Sequence, residues 1–276
     1  MGKHLLSRLT WVEAREAAAQ NRIIILPVGT TENQSLHNLL GYDHIVAERL
    51  GEAVASRTGS LLAPTIPYGC SQMFRDYPGT VVWQFDTLVA VLRDTLESFL
   101  RHGFTRLLLL NNHFPNEPAV EVVGRDLRAR HGVLIASIIP HKLARDLSKD
   151  LYVGHPEAVV HGSDPGTSLM LHLAGEDMRM DAAAKVKANR LQGLEVESPN
   201  VVKFQQSTVN IYMDMQDMHP HGGTGDALFA SPDKGETIFN RMVDFVTAFI
   251  EQFKTMDPKA RTLPGEFTKG PVNSPG

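Results

Sequence analysis

An open α/β fold, three layers deep (α/β/α) with a mainly parallel central sheet, is what this sequence predicts. Short continuous apolar runs ending in Gly or a polar cluster are one reason, because such runs mark strands buried on both faces. Segments of helical period lie between them, and strands alternating with helices give a parallel sheet covered on both sides. The third reason is that 276 residues, 42% of them hydrophobic, suffice for one large core with no linker long enough to split it. One domain is expected over 1–256. The Pro-, Gly- and charge-rich "DPKARTLPGEFTKGPVNSPG" (257–276) follows as a flexible or subunit-bridging tail.

The elements follow in order. "RIIILPVG" (22–29) reads as a buried strand, "DHIVAERLGEAVASRTG" (43–59) as a helix and "SLLAPTIPYG" (60–69) as a strand running into a turn. In "DTLVAVLRDTLESFLRHG" (86–103), Leu88, Leu92, Leu96, Phe99 and Leu100 recur at helical spacing, with Asp86 as a candidate start cap and Gly103 at the end. "RLLLLNN" (106–112) is a strand, "EPAVEVVGRDLRARHG" (117–132) a helix and "VLIASI" (133–138) a strand. "GTSLMLHLAG" (166–175) is helical. The last helix, "SPDKGETIFNRMVDFVTAFIEQF" (231–253), has Ser231 as its cap and Pro232 at its first position.

A formal net charge of -4 without a Lys/Arg run argues against nucleic acid and anionic membranes as partners. Cys70 is the single cysteine, which fits a reducing, cytoplasmic setting. The N-terminal segment lacks a signal-peptide apolar stretch, and no apolar run approaches the ~20 residues of a membrane span.

In open α/β sheets, ligands bind beyond the carboxyl ends of the strands. "GTTENQSLHNLLGYDH" (29–44) follows one such end and packs Glu32, Asn33, Gln34, His37, Asp43 and His44 together; "NNHFPN" (111–116) follows another. If the two strands are neighbours, Glu32, Asp43 and His113 converge. Two carboxylates and an imidazole suit Zn, Mn or Fe(II), and three protein ligands leave a position for water whose pKa the metal lowers. Gln34, two residues from Glu32, points to the same side of an extended chain and can add a weak amide oxygen. On spacing alone, a solvated polar loop with a capping Asp43 explains the same residues. Cys70 and Ser163 lack an identifiable base or triad and read as loop residues. His155, His219 and His221 read as surface or substrate-facing, His44 as facing away, and Trp11 and Trp83 as packing residues.

Several blocks carry a family resemblance. "LTWVEAREAAAQNRIIILPVGTTENQSLHNLLGYD" resembles the creatininase (creatinine amidohydrolase) family opening L-T-W-x-E followed by LPVGSxEQHGxHLPxxxD. "YPGTV" (77–81) is similar to its F-P-G-T element and "LLLLNNHFPN" to N-G-H-x-x-N. "HGSDPGTSLML" (161–171) stands for H-A-G-x-x-E-T-S-L-M-L, and "GGTGDALFASPDKGE" (222–236) for G-D-x-x-x-A-S-x-x-K-G-E. The likeness runs from about Leu9 to Phe253. It implies a three-layer fold, homo-oligomers that are often hexamers, and a dinuclear metal site hydrolysing cyclic or small amides. By this resemblance Glu32, Asp43 and His113 fall on metal ligands, Asp43 as the bridging carboxylate. His37 falls on the second histidine of the first block, and His161 on a histidine that handles substrate.

The departures concentrate at the second metal. Gln34 replaces a ligand histidine, and Gly166 replaces the glutamate of E-T-S. Pro115 stands where the enzyme that names the family has a ligand glutamate that many relatives lack, and Met73 lies where relatives often carry histidine. Three readings follow. One metal, the favoured count, remains on Glu32, Asp43 and His113, whose metal-bound hydroxide opens a small cyclic amide, formamide or lactone, with His161 or His37 as general acid. Alternatively, Asp164 and Gln34 rebuild a weaker second subsite. In the third reading hydrolysis is lost, leaving a small-molecule binding protein or a metal-assisted isomerase or lyase. Creatinine fits poorly, because Gly166 offers no carboxylate.

Overall fold

The computed structural model describes residues 3–155, 160–187, 190–257 and 259. Nearly all of the expected tail lies outside the described residues. The unanticipated first helix, α1 (Trp11–Ala19), opens on a capping box in which Thr10 and Glu13 exchange side-chain and backbone bonds. β1 (Ile24–Val28) follows, fully buried, and then α2 (Tyr42–Thr58), closed by Gly59 in the left-handed region. β2 (Leu61–Leu62) is far shorter than the expected strand over 60–69. Pro64 and Pro67 lack the N–H a ladder needs, so only an isolated parallel bridge, Val28 to Ile66, continues the pairing.

α3 (Phe85–Arg101), β3 (Leu107–Asn111), α4 (Glu117–His131) and β4 (Ile135–Ile138) occur as expected. Asp86 is not the cap of α3: that position is Gln84, and Asp86 sits in the first turn, where its charge favours the helix amino end. α5 (Pro140–Leu147) was not anticipated. α6 (Gly166–Ala174) was, and after it the chain forms two small antiparallel units. β5 (Lys185–Val186) pairs with a late strand, while β6 (Glu195–Ser198), β7 (Val201–Phe204) and β8 (Ser207–Asn210) form a three-stranded sheet. The one-turn α7 (Met215–Met218) and β9 (Gly225–Asp226), the partner of β5, lead into α8 (Pro232–Thr255). Ser231 caps α8 through Lys234 N–H, with Pro232 at the first position, as the sequence predicts.

The central sheet has the order β2-β1-β3-β4, all parallel. Alternation across β1 and β3 divides the core. Ile25, Leu108 and Leu110 pack with Val46, Leu50, Met242 and Val246 of α2 and α8, on the face that also holds α6. Ile24, Leu26, Leu107 and Leu109 pack with Leu88, Leu92, Val123 and Leu127 of α3 and α4. Two helical layers thus sandwich the sheet, which accounts for the continuous apolar strands. A smaller cluster of Phe74, Tyr77, Val202, Met213, Met215 and Met218 seats the β6–β8 sheet against the loop after β2. Trp83 packs on the second core as expected, but Trp11 is 73% exposed, with the Arg15 guanidinium 5.1 Å from its ring centre. It is a surface residue because it faces out at the start of α1.

Candidate metal centre

The two strand ends that carry the polar blocks are neighbours, with Val28 opposite Asn111. Beyond them the chain leaves β1 through Gly29 and Thr30 and leaves β3 through Asn112 and His113. Asn116 fastens these loops together: its side chain accepts from Cys70 N–H and donates to Gly29 O and to Asn111 Oδ1. Asn111 in turn donates to His113 O and to Glu117. The site loops are therefore tied to one another by buried amides.

Glu32, Asp43 and His113 converge there, all buried, each offering a ligand atom within 4.8 Å of the others. No other such group of His, Cys, Asp and Glu occurs among the described residues. His113 Nδ1 lies 3.2 Å from Asp43 Oδ2, and its Nε2 lies 3.4 Å from Glu32 Oε2 and 3.0 Å from Cys70 O. Thr30 Oγ1 donates to Asp43 Oδ2 at 2.6 Å, and Asn112 Nδ2 donates to Asp43 Oδ1 at 3.2 Å. Burial drives Glu32 up to about 7, against the pull of His113. Burial opposes charge on His113, but Glu32 and Asp43 outweigh it and lift the imidazole to about 9.

These residues fit one divalent ion. Glu32 Oε2 is a buried carboxylate oxygen with no hydrogen bond, its only close positive group among the described residues being the His113 ring at 3.4 Å, and a buried carboxylate held this loosely favours a cation beside it. Cys70 O only accepts, so Nε2 of His113 carries the hydrogen and Nδ1 faces Asp43. Two lone-pair atoms 3.2 Å apart need a proton or a cation between them. Ligands sharing an ion at ~2.0–2.2 Å bond lengths sit ~3.3–3.6 Å apart at tetrahedral angles, close to that spacing.

A second ion fits less well. Gln34 is buried beside the cluster, but its Nε2 donates to Glu32 Oε1 at 3.3 Å. Asp164, fully buried, accepts from Ser168 N–H and Oγ and lies 3.5 Å from Lys234 Nζ, so it fastens α6 to α8 instead of facing the cluster. Gly166 has the Tyr42 ring against it: an added Cβ would meet that ring at 3.1–3.2 Å.

A cavity of about 610 Å³ opens over the cluster, with Gln34, Tyr42, Phe74, His141 and His161 in its wall and strands β5 and β6 at its outer side. His161 Nε2 is 3.2 Å from Asn33 O, and the ring lies on Phe74 at 4.7 Å. Burial pushes it down to about 4. His37 is buried away from the cavity wall, with Nε2 3.0 Å from Thr167 Oγ1. A wider groove of about 840 Å³ at the amino ends of β1 and β3 is lined by Arg22, Arg106 and Lys254 and holds none of the ligating residues.

The sequence reading passed over Tyr42, Asn112, His141 and Arg145, all of which line the cavity. His141 follows β4 as His113 follows β3, so the strand-end rule, applied once more to "VLIASI", points to it.

A sequence profile of the Creatininase family, described as creatinine amidohydrolase, matches residues 7–250. The chain belongs to the creatininase family. It is 30% identical over 194 residues to creatinine amidohydrolase of Pseudomonas putida, covering 64% of this chain and 74% of that one. With the 3-dehydro-scyllo-inosose hydrolase of Thermotoga maritima it shares 24% identity over 277 residues, 94% of this chain and 86% of the relative. A manganese form of creatininase superposes with a TM-score of 0.75 at 25% identity, over 91% of this chain and 99% of that structure. These relatives bear hydrolase names, and this creatininase-family chain is accordingly a hydrolase. Among the described residues no helix is long and apolar enough to cross a membrane.

Proposed function

We propose that the protein hydrolyses a small cyclic amide, formamide or lactone with a single divalent ion, Zn, Mn or Fe(II), held by Glu32, Asp43 and His113. The reading rests on one observation above all: the buried Glu32 Oε2, which makes no hydrogen bond, within the carboxylate–imidazole cluster that lines the cavity. Manganese in a superposable creatininase supports the choice of metal. Such an ion, when bound, supplies a strong nucleophile at neutral pH and polarises the carbonyl it faces.

The protein's own groups do the rest. Cys70 O holds the His113 tautomer that leaves Nδ1 facing Asp43, where it would be free to ligate an ion, while Thr30 and Asn112 orient Asp43. His161 gives its Nε2 hydrogen to Asn33 O, which leaves Nδ1 as an acceptor. It takes a proton from the attacking water and releases it readily to the leaving group, because its burial disfavours the charged form. This role falls to His161 instead of His37, since only His161 lines the cavity. A homo-oligomer, with the hexamer as its expected form, belongs to the same reading.

A panel of cyclic amides, formamides and lactones, run with each metal, tests this. Turnover lost in His113→Ala and slowed at least a hundredfold in His161→Ala is expected. Turnover unchanged in His113→Ala removes the metal from the mechanism, and binding without turnover across the panel removes hydrolysis.

A further inference from the structure

His141 and Arg145 stand one helical turn apart on α5, and both line the metal cavity. His141 is held from behind. The Tyr42 hydroxyl is 3.1 Å from its Nδ1, and the Tyr42 and Phe114 rings meet it edge-on at 6.4 and 5.9 Å. Asn112 Nδ2 donates to Asp43 Oδ1 beside this pair. The phenol hydroxyl is a donor suited to an unprotonated Nδ1. The imidazole hydrogen then sits on Nε2, where no acceptor among the described residues takes it.

Arg145 has no carboxylate or carbonyl partner among the described residues either, whereas Arg93, Arg130 and Arg241 each engage an acid. Across the cavity Lys187 is likewise without an ion pair among the described residues, and Glu197 is the acid of the outer wall. Glu32 and Asp43, the other acids of the wall, lie against His113 and would be balanced by an ion, so the remaining two cations against one acid leave a positive surplus. Gly166 adds to it, because Tyr42 fills the space where the family resemblance places a carboxylate. A guanidinium fork beside an imidazole N–H is the donor set that suits a carboxylate.

We propose that His141 and Arg145 bind a carboxylate carried by the substrate, so that the substrate class is a carboxylated cyclic amide or lactone. This rests on the hydrolase reading above. His141 shares the wall of one cavity with Asp43 and His113, so a carboxylate held there lies in the same cavity as the reacting carbonyl.

Two matched pairs test the inference on zinc-loaded protein by calorimetric titration: 5-oxoproline against 2-pyrrolidinone, and dihydroorotate against dihydrouracil. At least one carboxylated member is expected to bind tenfold or more tightly than its neutral partner. Arg145→Gln should abolish that ratio without changing the neutral ring's affinity or the metal content, and Arg145→Lys should keep part of it. Equal affinities within both pairs, no binding by any member, or a ratio that survives Arg145→Gln overturns the proposal. A ratio that stands while no ring is opened removes the hydrolase reading alone.

Discussion

Replacing Gly29 by Ala tests how Asp43 is held in place. Gly29 closes β1, and the first turn of α2 passes directly over it. A methyl group there would lie 2.4 Å from His44 N, 2.6 Å from His44 Cα and 2.7 Å from Asp43 C. Carbon contacts settle at ~3.5–4.0 Å, so the start of α2 must retreat by about 1 Å. All three atoms are backbone, so no rotamer change relieves the clash. Overpacking of this kind costs ~1–3 kcal/mol, or roughly 2–12 °C in Tm at ~2–4 °C per kcal/mol. Metal bonds tolerate only ~0.2 Å of misplacement, so a retreat of that size takes Asp43 out of the ligand set. Titration with Zn and Mn should show metal affinity down at least tenfold. Gly124→Ala in α4 is the control. No atom lies within 4 Å of its added methyl, so it should gain ~0.4–1 kcal/mol and bind metal normally. A Gly29→Ala protein with unaltered Tm and affinity would refute the claim that the β1–α2 contact fixes Asp43.

Metal binding should be pH-dependent, because an ion must displace the protons on Glu32 and His113. Affinity is expected to climb as pH rises through about 7 and on toward about 9; a flat profile from pH 6 to 9 would count against the cluster. Both pKa values are raised, so the stability these groups contribute to the metal-free protein is full below their ordinary values of 4.5 and 6.5. It is lost as pH rises through about 7 and about 9, which denaturant titration of chelated protein should record. His141 and His161 work in the opposite sense. Both are depressed to about 4 by burial, so their contribution is present above pH 6.5 and lost as pH falls through 4. Water in the open cavity screens them, leaving on the order of 1–2 kcal/mol each, and His141→Gln should flatten its share of that acid limb. Tyr42→Phe removes the hydroxyl at His141 Nδ1 and should cost ~1 kcal/mol while leaving the metal content unchanged.

The central sheet was legible because β1 and β3 are buried on both faces, and "IIILPV" and "RLLLL" cannot be mistaken for amphipathic segments. The convergence of Glu32, Asp43 and His113 followed from strand adjacency, which a parallel sheet makes natural. The strands over 195–210 were not legible. Ser207–Asn210 is exposed throughout, so no apolar alternation marks it, and its partners rest on scattered methionines and a single buried Val202. α5 was hidden by its length of eight residues and by the proline that opens it. His37 was weighed as a general acid, and Asp164 as part of a second metal subsite, from motif position. Their side chains answer instead to Thr167, Ser168 and Lys234, contacts made with α6 and α8 that no local spacing reveals. Gly166 illustrates the same limit, because its role depends on a tyrosine 124 positions earlier in the chain.

Metal stoichiometry tests the central claim most directly. Purified protein, stripped with chelator and reloaded with Zn or Mn, should hold one tightly bound divalent ion per chain by elemental analysis. Glu32→Ala and His113→Ala should each hold close to none while remaining folded by circular dichroism. Two ions per chain in the wild type would contradict the single-ion site, and full occupancy in either variant would contradict the assignment of its ligands.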